Sequence, residues 1–157
     1  FSRQLSRNVI KLSDLINLMP NLTCLRLSYV SLTQLINELG NDGIDKKMLK
    51  KLTTLTIKGS MENDTFKIKT FCYMFSNIHY LTLEKIMLHN IYILLPLLFR
   101  KVINLELLNI SLNGDDFDIF DKQHFQQWLK EFIQLNDLNV NVEYNKDNQN
   151  MIVWKTN

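Results

Sequence analysis

Cysteine, glycine and proline are all scarce in this chain, with two, four and two residues respectively among 157. Cys24 and Cys72 lie in unrelated surroundings, which leaves no disulfide framework of the kind that staples small secreted domains. The expected setting is therefore reducing and intracellular, cytoplasmic or nuclear. Four glycines build no phosphate-cradling loop, and the Gly-x-Ser-x-Gly elbow of a serine nucleophile does not occur. No signal-peptide pattern opens the chain. The longest apolar run, around Ile91 to Phe99, is too short to cross a bilayer and holds Pro96, so neither secretion nor a membrane anchor is expected. His79, His89 and His124 share no spacing with one another, with the cysteines or with acidic pairs that would suit a metal. No catalytic group, no cofactor and no metal site is expected, and the chain reads as non-enzymatic. Residue 1 is Phe, not Met, from which a fragment lacking upstream sequence is expected.

What is present is apolar: 46% of the residues are hydrophobic against 22% charged, the profile of a folded chain with a substantial core. The net charge of +2 is unevenly spread. Residues 1–60 carry nine Lys/Arg against four Asp/Glu, and residues 101–157 carry five against nine, so one end should be basic and the other acidic.

One short phrase occurs five times. It runs Leu22-Thr-Cys-Leu25-Arg-Leu27, Leu52-Thr-Thr-Leu55-Thr-Ile57, Ile78-His-Tyr-Leu81-Thr-Leu83, Leu105-Glu-Leu-Leu108-Asn-Ile110 and Leu135-Asn-Asp-Leu138-Asn-Val140, with starts 30, 26, 27 and 30 residues apart. Asn21, Asn77, Asn104 and Gln134 precede four of them, and Lys51 the second. The alternating apolar positions have the period of a strand buried on one face. Ten residues ahead of four phrases stand apolar residues at helical spacing: Leu12, Leu15, Ile16 and Met19; Ile68, Phe71, Cys72 and Phe75; Leu95, Leu98, Phe99 and Val102; Phe125, Trp128, Leu129 and Phe132. In the second unit the helix is displaced to Leu32, Leu35, Ile36 and Leu39, opened by Ser31-Leu-Thr-Gln34 and closed by Gly40, with an irregular insertion from Asn41 to Lys47. After the last phrase, Asn139 to Tyr144 and Met151 to Trp154 read as a hairpin capping the end.

A helix and a short strand repeated at this spacing resemble the leucine-rich-repeat family, in its longer ribonuclease-inhibitor-like class, over roughly residues 12 to 142. The family's turn position falls on Val30, Ser60, Ile86 and Asn113, and only Asn113 fits it well. The resemblance implies an α/β solenoid occupying residues 1–157 as a single domain. About five repeats would form a right-handed horseshoe arc, with a parallel sheet on the concave face and helices on the convex face. Strands are expected near 24–28, 54–58, 80–84, 107–111 and 137–141, with a capping hairpin at 139–154.

The concave face would carry three columns. They are Cys24, Thr54, Tyr80, Leu107 and Asp137; Arg26, Thr56, Thr82, Asn109 and Asn139; and Ser28, Lys58, Glu84, Ser111 and Asn141. Tyr80 and Leu107 would anchor a protein partner, flanked by Arg26 and Glu84. The repeats also look like the substrate-recognition part of F-box ubiquitin-ligase receptors, with an adaptor recruited by a domain outside these residues. A free-standing adaptor, an inhibitor or a sensor module fits the same pattern. Nucleic-acid contact through Lys46, Lys47, Lys50 and Lys51 is the lesser alternative, because Leu49 and Leu52 interrupt the cluster at core spacing. The acidic run Asp115, Asp116, Asp118 and Asp121 lacks the glycine and terminal glutamate of a calcium loop and reads as a solvated helix entry. The glycosylation-type triplets at Asn21, Asn63 and Asn109 are read as chance.

Overall fold

Residues 11–41, 49–59, 65–112, 119–145 and 149–156 are described by a computed structural model. The alternating phrases form strands β1 (Cys24–Ser28), β2 (Thr54–Lys58), β3 (Tyr80–Ile86) and β4 (Leu107–Leu112). They lie side by side in chain order, all parallel, with Leu27 opposite Ile57, Ile57 opposite Leu83 and Leu83 opposite Ile110. Each unit locks to the next through one shared acceptor. The carbonyls of Thr23, Thr53 and His79 each accept two consecutive N–H groups from the following unit, at 2.8–3.1 Å. The polar position ahead of the phrase does related work: Lys51 Nζ donates to the Pro20 carbonyl and Asn77 Nδ2 to the Lys50 carbonyl, both at 3.1 Å.

The helices are α1 (Leu12–Asn17), α2 (Tyr29–Asn41), α3 (Thr65–Met74), α4 (Leu88–Lys101) and α5 (Ile119–Leu135). Their stripes meet the inward strand residues in one continuous core that includes Leu35, Phe71, Leu95, Phe125, Leu55, Leu81 and Leu108. Each wholly buried leucine contributes about 1.5–3 kcal/mol, which is why a strand with only two inward residues is stable here and would not be alone. Pro96 stands inside α4, yet Ile91, Leu94, Leu95 and Leu98 around it are fully buried, so packing outweighs the lost backbone bond. Helix α1 is the weakest fit to its stripe. Ile16 is buried, but Leu15 and Met19 are exposed.

The fold differs from the expected solenoid of about five parallel repeats. The chain is a mixed α/β unit with one six-stranded sheet in the order β1-β2-β3-β4-β6-β5, the last two strands being β5 (Val140–Asn145) and β6 (Asn150–Lys155). β6 runs antiparallel to both β4 and β5, so the fifth phrase never adds a strand beside the fourth. The strand expected near 137–141 begins instead at Val140, after Asp137 turns the chain with φ 48. The reason lies in the hairpin. β5 and β6 pair locally and antiparallel, so only one of them can lie next to β4; β6 does, with Met151 and Val153 at 0% and 2% exposure, and β5 is left at the edge with Val140, Val142 and Tyr144 half-buried.

Smaller expectations also change. α2 starts at Tyr29, directly off β1, so its cap is Ser28, whose Oγ accepts the Ser31 N–H at 3.1 Å; Ser31 itself lies inside the helix. Val30 is on α2 and Ile86 ends β3, so the family's turn row is not formed at these two positions. Most of the Asn41–Lys47 insertion, Asn63, Ser60, Asn113 and Asp115 to Asp118 lie outside the described residues.

Candidate functional site

Strand alternation leaves the sheet with a helix-covered face and an open one. Register places the open-face residues in rows. One row is Cys24, Thr54, Tyr80, Leu107, Trp154 and Asn141; the next is Arg26, Thr56, Thr82, Asn109, Ile152 and Glu143. Ser28, Lys58, Glu84, Ser111, Asn150 and Asn145 complete a third, disturbed at Lys85, whose φ of 59 marks a bulge between Leu83 and Ile86. Of the residues expected on a partner-binding face, Arg26, Thr56, Lys58, Tyr80, Thr82, Glu84, Leu107 and Asn109 stand in these rows. Asp137 and Asn139 do not, since both precede β5, and Asn139 bonds Thr156 instead.

Two polar constellations form on this face. Glu84 accepts Arg26 Nη2 at 2.9 Å and sits 3.6 Å from Lys58 Nζ, joining three strands in one network. The second was not foreseen. Glu106, just ahead of β4, bonds His79 Nδ1 through Oε1 at 2.8 Å and accepts the Tyr80 hydroxyl through Oε2 at 3.2 Å. Those bonds, His79 first and Tyr80 second, hold the Glu106 carboxyl below the usual carboxylate range, and the same contact raises the Tyr80 hydroxyl. A signal existed in the sequence: His79 and Glu106 occupy the second position of successive phrases, so parallel register makes them neighbours.

His79, Tyr80, Glu106, Leu107, Trp154 and Lys155 line a shallow depression of about 540 Å³ at this end of the sheet. Ile103, 69% exposed, stands on its rim, and Tyr80 is 46% exposed. Lys155 Nζ donates to the Ile103 carbonyl at 2.7 Å. Trp154 and Ile152 belong to the face only because β6 is inserted beside β4, which no local pattern announces. One row away, Asn109 Oδ1 is buried with no hydrogen-bond partner among the described residues.

Elsewhere the chemistry is quiet. Burial pushes the Cys72 thiol up to about 12, leaving it unreactive. Among the described residues no group of three or more His, Cys, Asp or Glu could hold a metal ion, and no helix is long and apolar enough to cross a membrane. A second cavity of about 330 Å³, between α5 and the hairpin, is walled by Phe125, Leu129, Ile133, Val142 and Met151 and continues the core. No family model, curated protein or solved structure matches the chain.

Proposed function

We propose that the protein is a non-enzymatic binding module that takes a partner protein on the open face of its sheet, around Tyr80, Leu107 and Trp154. The observation that supports this reading is the row itself: three large side chains on adjacent strands of a face that, apart from Ile152 beside them, is otherwise polar. Tyr and Trp combine apolar area with a polar tip and lose little conformational freedom when covered, the character of interface anchors. Arg26, Lys58 and Glu84 supply the polar rim. Their cations already face a carboxylate, which favours a protein partner over a phosphate backbone.

A photo-crosslinking residue placed at Thr82, in the adjoining row, tests the reading against a control at the exposed Lys69 of α3. A discrete adduct should form from Thr82 in cell extract and not from Lys69. It should disappear with Tyr80→Ala or Trp154→Ala, while stability with Tyr80→Ala stays within about 0.5–1 kcal/mol, as expected for an exposed site. Adducts indifferent to both substitutions would overturn the assignment. Substrate capture for a ubiquitin ligase is a narrower form of the same proposal and requires a ligase adaptor in the captured complex.

A further inference from the structure

We infer that the depression at the β3–β4–β6 end of the open face takes an arginine side chain of the partner, seated on Leu107 between Tyr80 and Trp154 with its guanidinium on Glu106. This rests on the open face being the binding surface and specifies what binds there.

Tyr80, Leu107 and Trp154 are directly opposite one another on consecutive strands. Neighbouring strands lie about 4.8 Å apart, so the two aromatic residues rise roughly 9.6 Å apart with Leu107 as floor between them. A flat group in contact with a ring on each side needs about 7 Å, twice the ordinary carbon contact of about 3.5 Å. The slot is wider than that by roughly 2.6 Å, so a planar cation enters it and stacks on one of the two rings, whose face attracts it.

Glu106 supplies the charge. Each of its oxygens accepts one bond, Oε1 from His79 and Oε2 from Tyr80, which leaves a further lone pair on each. Two oxygens with one free site apiece match the parallel donors of a guanidinium better than the compact head of lysine. The bonds from His79 and Tyr80 keep the carboxylate ionised across the neutral range. Lys155 also lines the depression and brings a positive charge there while donating to the Ile103 carbonyl, so the choice of a guanidinium rests on the two-oxygen geometry of Glu106 and not on the net charge of the site. An acidic ligand in the slot would face the Glu106 carboxylate.

The test uses the whole chain with acetyl-Gly-Arg-Gly-amide as probe, read by the indole N–H signal of Trp154, which Trp154→Phe distinguishes from that of Trp128. The arginine peptide should shift this signal saturably in the millimolar range. The isosteric, uncharged citrulline peptide should not, and Glu106→Gln should weaken binding about tenfold, the loss of one charge-assisted contact. Equal shifts from the citrulline peptide, a response to a glutamate peptide in place of the arginine one, or affinity unchanged by Glu106→Gln would each overturn the proposal. If it fails while Thr82 still cross-links a partner, the binding face stands and only the arginine assignment falls. Absence of any Thr82 adduct with the wild-type sequence at all other positions removes both.

Discussion

Tyr80 is half in solvent, yet its hydroxyl is tied to Glu106, so a single exposed side chain links the apolar row to the charged end of the sheet. Tyr80→Phe keeps the ring and removes that bond. The Glu106 carboxyl should then titrate closer to its ordinary value, followed by carbon-13 NMR of the side-chain carboxyl. The folded value is depressed, so whatever this cluster contributes is present above the ordinary carboxylate range and lost as pH falls through the folded value. A titration unmoved by the substitution would show that His79 and Lys155 hold the charge without Tyr80. At this scale the sequence was partly legible: Tyr80, Leu107, Arg26 and Glu84 follow from strand alternation, and the His79–Glu106 pair was readable from phrase position. The network that ties Glu84 to two cations required the side chains to be placed.

Among the elements, α1 depends most on a polar contact. It is six residues long, Lys11 gives it no side-chain cap, and Leu18 is 76% exposed. Glu38 of α2 holds it by accepting the Ser13 N–H at 3.0 Å, while Gln34 steadies the same carboxylate at 2.8 Å. Burial of Glu38 works against its charge, but these bonds prevail and its pKa is lowered. Glu38→Gln should therefore speed amide exchange in residues 12–17 with a global cost below about 1 kcal/mol, as for other partly exposed charge contacts. The wild-type protection should be full above the ordinary carboxylate range and fade as pH falls through the depressed value, erasing the difference between the two proteins. Equal protection at neutral pH would mean that Ile16 alone docks α1. The other stripes explain why the helices were readable: Leu32, Leu35, Ile36 and Leu39, or Ile68, Phe71, Cys72 and Phe75, are all buried, because helical spacing is a property of neighbours along the chain. The cap of α2 was misplaced for the converse reason. Ser28 and Ser31 are equivalent candidates until the end of β1 is known.

At the scale of the molecule, stability hinges on the strand that closes the parallel run. β6 covers β4, pairing Val153 with Leu108 and Met151 with Ile110, and places both inward residues in the core. Val153→Asp would bury a carboxylate in that core at a cost on the order of 4 kcal/mol, a large share of the roughly 5–15 kcal/mol available to a typical protein. The urea midpoint should fall sharply, and the uncovered edge of β4 should drive concentration-dependent association in gel filtration. An unchanged midpoint would rule out the β4–β6 pairing.

The amino-acid sequence by itself determined where strands and helices alternate among the described residues from 12 to 110, and which side of each faces inward except in α1, where Leu15 and Met19 stay exposed. Those properties depend on periods of two and of 3.6 within a few neighbouring residues. Only the tertiary structure decided that the sheet is mixed, that β6 stands between β4 and β5, and that Trp154 and Ile152 join Tyr80 and Leu107 on the open face. Either hairpin strand had hydrogen bonds to offer β4. The pairing of β6 with β4 sets Met151 and Val153 in the core and leaves Val140, Val142 and Tyr144 half-buried at the edge, an outcome decided between segments distant in sequence only when the whole core is packed.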